Sequence, residues 1–214
     1  MIIRKIKTLG PRGERVEVQL EDGRSVLLSS EIAMREGLRE ETELSDAKVR
    51  LLEEEDLAWR AREAALHLLS YRARSRAELA RRLLRKGFPD GIVESCLADL
   101  ATRGFIDDGA FAASFARDRL RGRPKGPRRI SQELRAMGVS ADVVGPAIEE
   151  AMKDSEISDL DLARRAATRW RERPGEEPIR ARRRLYDFLV RRGFSAEVAR
   201  AILQERIGPG DETD

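Results

Sequence analysis

The sequence predicts a mainly α-helical protein, an elongated tandem array of three three-helix repeats preceded by a small β-containing unit. Three observations carry this. Strand-like alternation is confined to roughly the first fifty of the 214 residues; charged residues reach 38%, above the usual quarter, as long solvated helices require; and a helix-ending glycine pattern recurs three times downstream. A chain of this length can bury a core without staples. The expected units are residues 1–55 for the β-containing part, 56–106, 107–154 and 155–207 for the repeats, and 208–214 as a frayed tail rich in Gly, Pro and acid.

In the first unit, Ile2, Arg4 and Ile6 alternate with Ile3, Lys5 and Lys7, which allows a strand. Val16, Val18 and Leu20 alternate with Glu17 and Gln19, and Asp22-Gly23 then predicts a two-residue turn returning the chain through Val26 to Leu28. A short helix, Ser30 to Glu36, stops at Gly37. Three strands are marginal alone, so this unit is expected to pack on helices.

From Asp56 the chain repeats itself. Leu79, Leu83 and Gly87-Phe88 match Ile130, Leu134 and Gly138-Val139, and again Leu185, Leu189 and Gly193-Phe194. Two apolar residues four apart share a helix face, and a glycine four further on ends the helix because it adopts positive φ without a Cβ clash. Each copy restarts at once, at Pro89-Asp90, Ser140 and Ser195, with apolar pairs Ile92/Leu97, Val143/Ile148 and Val198/Leu203. A further helix precedes each pair, around Trp59–Leu69, Phe111–Leu120 and Leu162–Trp170, and Ser75-x-x-Glu78 and Ser158-x-x-Asp161 read as capping boxes. Copies of this kind stack in one direction and offer a long curved surface in place of a deep pocket.

Most catalytic vocabularies are missing. One Cys (Cys96) and one His (His67) exclude an internal disulfide, cysteine-rich zinc sites and multi-histidine metal centres, and no nucleotide-binding glycine loop or hydrolase motif occurs. His67 reads as a core-edge histidine, Cys96 as a small buried hydrophobe and Asp107-Asp108 as a helix cap; no metal or cofactor is expected. With no stretch of ~20 apolar residues and no leader-like opening, the expected location is the cytoplasm, without membrane attachment.

What remains is basic surface. Residues 1–55 are net −3, and the rest of the chain is net +6. Arg117, Arg119, Arg121, Arg123, Lys125, Arg128 and Arg129 crowd an inter-helix segment broken by Gly122, Pro124, Gly126 and Pro127, with Asp118 as its acid. That segment is either a solvated linker or a contact for phosphates or acidic protein. Arg72, Arg74, Arg76, Arg81, Arg82, Arg85 and Lys86 in the first copy, and Arg180, Arg182, Arg183, Arg184, Arg191 and Arg192 in the third, fall at or near the equivalent central helices. Aromatic residues are only 5%, and Phe88, Phe105, Phe111, Phe115 and Phe194 fall at core-like positions, so base stacking is not expected; any DNA contact would be weak, salt-sensitive and to backbone phosphates.

The string Leu100-x-x-x-Gly104-Phe-Ile-Asp-Asp108-x-x-Phe111-Ala112, with Arg119, Gly126-x-x-Arg129-Ile130-x-x-Glu133-Leu134-x-x-x-Gly138-Val139, resembles the core motif of the RecX family, bacterial regulators of the RecA recombinase. Tyr71-x-x-Arg74-Ser75-x-x-Glu78-Leu79-x-x-x-Leu83-x-x-x-Gly87-Phe88 is similar to that family's preceding repeat, and residues 1–55 to the N-terminal extension of its longer members. The resemblance implies a non-enzymatic, monomeric protein lying in the groove of the RecA–DNA filament and restraining its growth, with ATP hydrolysis, strand exchange and coprotease activity damped as a result. Gly104, Asp108, Phe111, Gly126, Ile130, Leu134 and Gly138 carry over as framework positions. The contact candidates are Arg72, Arg74, Arg76, Arg82, Arg85, Lys86, Arg119, Arg121, Arg123, Lys125, Arg128, Arg129, Arg183 and Arg184. The prolines of the Arg121–Pro127 loop depart from the pattern and stiffen it. The alternative is a helix-turn-helix protein that binds DNA directly through the helix pairs ending at Gly87 or Gly138.

Overall fold

The computed structural model describes residues 1–122 and 124–207. It opens with an antiparallel meander, β1 (Ile3–Leu9), β2 (Arg15–Leu20) and β3 (Ser25–Ser29), in spatial order β1-β2-β3. The alternation read from the sequence is real: Val16, Val18, Leu20, Val26 and Leu28 are buried, and they pack with Ile3 against Ile32 and Ala33 of α1 (Ser30–Arg35).

The β2–β3 turn differs from expectation. Gly23 alone takes positive φ (+86°), and the Leu20 N–H donates to the Arg24 carbonyl (2.8 Å) while the Gly23 N–H reaches Leu20 O (3.1 Å), leaving three residues in the loop. A two-residue turn of the favoured hand needs positive φ at both central positions. Here Asp22 instead accepts the Arg24 N–H through its own carboxylate (3.0 Å), a local bond that suits a type I turn followed by glycine.

α2 (Asp46–Tyr71) is a single 26-residue helix, so the boundary expected at 55/56 falls inside it. What changes there is packing, not backbone. Val49 and Leu52 belong to the sheet's core, whereas Ala61 and Ala65 belong to a second core with Leu79, Leu83, Val93, Cys96, Leu97, Leu100 and Ile106. At the changeover Asp56, 3% exposed, takes a bidentate pair from Arg15 (2.8 and 3.0 Å) and the Ser29 N–H (2.8 Å), which ties β2 and β3 to the helix.

The remaining helices follow the expected triplets: α3 (Arg76–Arg85) and α4 (Asp90–Thr102) after α2; α5 (Asp108–Arg121), α6 (Pro127–Ala136) and α7 (Ala141–Asp154); then α8 (Asp159–Ala167), α9 (Pro178–Arg191) and α10 (Ala196–Ile207). The helix expected to reach Trp170 ends at Ala167. Gly87, Gly138 and Gly193 stop the central helices α3, α6 and α9 with φ of +88°, +86° and +89°, and the N–H of the residue after each glycine reaches back to Leu83, Leu134 or Leu189. Tail residues 208–214 lie outside the described residues.

By compactness the chain forms two units. One comprises Met1–Ala73 with Leu79–Ile106, and the other Arg74–Glu78 with the chain from Asp107 on. The second has one continuous core drawn from α5 through α10, in which Ile130, Leu134, Leu162, Leu185 and Leu189 are fully buried.

Candidate functional site

Among the described residues, no cluster of His, Cys, Asp and Glu is placed to hold a metal ion. Asp107 caps α5 by accepting the Ala110 N–H (2.9 Å). Asp108 does something sequence reasoning missed: it accepts the Arg76 N–H (2.8 Å), capping the start of a helix in the preceding repeat. Cys96 is buried, and burial pushes its thiol pKa up. His67 is a correction. It is exposed, not core-edge, and meets Tyr71 edge-on (centroids 5.0 Å apart), because it sits on the solvent side of α2 between the buried positions Ala61 and Ala65 and the helix end. Phe105 is likewise 55% exposed, since Gly104 and the restart at Asp107 turn it outward while Ile106 fills the core.

The junctions between central helices explain the segment around Gly126. The Ser75 hydroxyl, at the start of α3, donates to Met137 O (2.6 Å), and the Gly126 N–H, at the start of α6, donates to Arg192 O (2.9 Å). Met137 and Arg192 are the residues just before the turn glycines of the following copies. At both junctions the opening residue of one central helix thus satisfies an orphan carbonyl at the end of the next. The second junction is the tighter: a Cβ on Gly126 would stand 2.3 Å from Gly193 O. The Arg192 guanidinium also donates to Pro124 O (3.2 Å). The supposed linker is therefore docked backbone at Pro124–Gly126.

That docking sorts the cations. Arg119 (3.0 Å), Lys125 and Arg129 (3.2 Å) all converge on Glu133, an acid outside the basic run whose i, i+4 spacing from Arg129 was the signal available in the sequence. Burial alone would raise the Glu133 carboxyl pKa; the hydrogen bonds from Lys125 and Arg119 outweigh it and hold the pKa below the ordinary carboxylate range. Arg119 also lies over the Phe115 ring (4.2 Å). All three share this one carboxylate, although the Arg119 and Arg129 side chains remain 39% and 49% exposed.

Two further candidates are also ion-paired. Arg74 is 8% exposed and bonds Glu78 (2.5 Å), one turn on. Arg184 clamps Glu176 (2.9 and 2.6 Å) while stacking over Trp170 (4.7 Å). Arg72 stands exposed at the end of α2 with a bond to Ala73 O (3.1 Å), and Arg76 and Arg82 are half-buried. Arg85 and Lys86 are exposed in the last turn of α3 and just beyond it. Arg121, Arg128 and Arg183 are exposed and in no ion pair among the described residues, and Arg128 and Arg183 stand ten residues before their turn glycines, the same register in consecutive copies. Arg123 lies outside the described residues.

Charge is also divided by element. The central helices α3, α6 and α9 are rich in arginine, whereas the solvent sides of α4 and α7 carry Asp90 and Glu94, and Asp142, Glu149 and Glu150.

Comparison with known proteins decides the family. Residues 61–100, 107–152 and 158–203 match, in order, the first, second and third three-helix domains of RecX. The regulatory protein RecX of Halorhodospira halophila is 43% identical over 142 residues, covering 65% of this chain and 84% of that one. The chain belongs to the RecX family. The Thermobifida fusca RecX is 35% identical over 162 residues (75% of this chain, 86% of the relative), and the Clostridium botulinum RecX is 25% identical over 206 residues, 96% of each chain. A crystal structure of a regulatory protein RecX superposes with a TM-score of 0.78 at 25% identity over 94% of this chain and 98% of that one, and the Lactobacillus salivarius RecX structure shares the fold with a TM-score of 0.60 over 70% and 96%. Coverage of 94% leaves too few residues unmatched to omit the three-stranded unit, so that unit is part of a longer RecX architecture. The family is one of regulatory proteins built from three-helix domains, and among the described residues no helix is long and apolar enough to cross a membrane.

Proposed function

We propose that this RecX-family chain is a non-enzymatic, monomeric cytoplasmic regulator that binds along the groove of the RecA–DNA filament and restrains filament growth, thereby lowering ATPase, strand-exchange and coprotease activities. The observation that carries the reading is the match of all three RecX three-helix domains in tandem. The exposed cations outside close ion pairs support it. Arg121, Arg128 and Arg183 on the second unit, and Arg85 and Lys86 on the first, are the charges available to DNA phosphates or acidic protein, and contacts of that type fix position without reading sequence.

Direct helix-turn-helix recognition is disfavoured by the sign of the charge. The helix following each turn would have to enter the major groove, yet α4 and α7 present carboxylates to solvent, which phosphates repel. The deciding experiment titrates the purified chain into RecA with single-stranded DNA, following ATP hydrolysis and filament length by electron microscopy. Progressive inhibition with shortened filaments is expected. An unaltered ATPase and length distribution across a wide titration removes the assignment, and a RecA-independent, sequence-selective gel shift at moderate salt would restore the direct DNA-binding reading.

A further inference from the structure

The sheet of the first unit has two edges, β1 and β3. At the β3 edge α2 packs alongside, the Ser29 N–H donates to Asp56 (2.8 Å) and the Leu27 carbonyl accepts from Arg15 (3.1 Å). The first half of the β1 edge is covered by the segment after α1: the Ile3 N–H donates to Thr42 O (2.9 Å), and Ile3 O accepts from the Glu41 N–H (2.8 Å). The second half is open. In an antiparallel ladder alternate residues turn both backbone groups to the same side. The register shift between Ile3 and Lys5 passes the outward side from Ile3 to Ile6 and Thr8, and the Ile6 N–H accordingly donates outward to the Glu40 carboxylate (3.3 Å). The Ile6 carbonyl and both Thr8 backbone groups face the same way with no partner among the described residues.

Beside this stretch runs a groove of about 500 Å³, with Ile6 and Thr8 among its sheet residues and Ala33, Met34 and Leu38 among those of α1 and the loop after it. Met34, 76% exposed, and the half-buried Ile6 and Leu38 make that groove apolar. An unpaired strand edge beside an apolar groove is what strand addition uses: main-chain bonds hold the incoming segment, and its alternate side chains enter the groove. A second copy of β1 is a poor occupant, because pairing Ile-Arg-Lys-Ile-Lys-Thr-Leu with itself brings lysines together, and edge lysines block such pairing. An acidic strand is a good one. Lys5 and the groove residue Arg39 are exposed and in no ion pair among the described residues, and Lys7 meets Glu17 only at 3.7 Å. Ile6 and Thr8 share the groove face, with Lys5 and Lys7 on the reverse. The complementary strand is therefore apolar toward the groove and acidic on its other side. Glu40 already shows an acid holding the first donor of this edge.

We propose that the outer edge of β1 from Ile6 to Leu9, with the groove beside α1, takes an extended segment of another protein in which apolar and acidic residues alternate, added to the sheet as a fourth strand. The proposal is independent of the filament reading: it concerns the β-containing part of the chain and is tested without RecA.

The probe is the blocked peptide acetyl-Ser-Glu-Val-Glu-Val-Glu-Ser-amide, titrated into the ¹⁵N-labelled full chain with its backbone signals assigned. The expected result is a saturable downfield shift and slowed hydrogen exchange of the Thr8 amide, while Leu28, paired with Val16 inside the sheet, stays unmoved. Lys5→Glu combined with Lys7→Glu should weaken binding roughly tenfold, since cross-strand attraction becomes repulsion, and should favour the same peptide with lysines in place of its glutamates. Both side chains are exposed, and retained signal dispersion shows that the variant is folded. An added strand bonds through every second amide, those of the valines if it runs antiparallel to β1 and those of the glutamates if parallel. Of two peptides N-methylated on the valines or on the glutamates, one should therefore lose binding and the other keep it. A Thr8 signal that the peptide does not move, or equal binding of the two methylated peptides, overturns the proposal. A Thr8 shift that follows protein concentration without peptide gives the edge to a second copy and overturns it as well.

Discussion

Asp56 is the residue on which the first unit turns. Its carboxylate is 5% exposed and takes both Arg15 nitrogens and the Ser29 N–H. Removing it strands a guanidinium that is itself only 17% exposed and orphans a backbone donor in the sheet. Asp56→Ala is expected to cost about 3–5 kcal/mol in urea unfolding of the full chain, the penalty for breaking one side of a buried pair. Glu133 has the corresponding place in the second unit. Its pKa is lowered in the folded state, so the unfolded chain binds the proton more readily; the stability it contributes is present above about pH 4.3, the ordinary Glu value, and is lost as pH falls toward and through the lower folded value. Glu133→Gln should therefore flatten the acid limb of a stability–pH profile measured by denaturant unfolding between pH 3 and 6. An unchanged slope would mean that Lys125 and Arg119 do not hold the carboxylate in solution.

At the scale of elements, the central helices are joined by their ends. Gly126 shows how narrow the tolerance is: its φ of −69° suits any residue, so the demand for glycine there is steric, set by the Gly193 carbonyl. Gly126→Ala should destabilise by roughly 1–3 kcal/mol, as overpacking does, with a lowered denaturant midpoint as the readout. A midpoint equal to wild type would show that the junction can slide apart without cost. The third central helix differs. Twelve residues before the turn glycine, where α3 and α6 have Ser75 and Gly126, α9 has Ala181, and the helix runs one turn further, to Pro178. The position that docks on a following copy in the first two repeats is buried within an extended helix in the third.

At the scale of the whole molecule, function in the proposed reading resides in the exposed charges that the fold leaves out of close ion pairs. Replacing Arg121, Arg128 and Arg183 together with Gln should weaken binding to RecA–DNA filaments and reduce its salt dependence while thermal stability stays near wild type, since exposed charges contribute only ~0–1 kcal/mol each. Replacing Arg119, Lys125 and Arg129 should do the reverse, lowering stability through Glu133 with less effect on binding. Co-sedimentation with filaments across a salt series, paired with thermal melts, separates the two sets. Equal losses of binding from both would show that the sorting by Glu133 has no functional meaning.

The three turn glycines, the leucine or isoleucine residues four and eight positions before them and the alternation of β2 were legible in the sequence, because each depends on periodicity and local backbone conformation, which neighbours in the chain decide. The family motif was legible for the same reason, being a string of those local demands. What only the tertiary structure decided is which charges are spent. Glu133 gathers cations from both sides of a helix break, Asp108 caps a helix in another repeat, Arg184 folds back over Trp170, and the backbone at Pro124–Gly126 stops being a linker once Gly126 meets Gly193. These pairings join residues up to 68 positions apart, as Arg192 and Pro124 are, and no local pattern encodes them. An ion pair forms wherever packing brings opposite charges together, so a basic run read along the chain overstates the charge that the folded surface has left to offer.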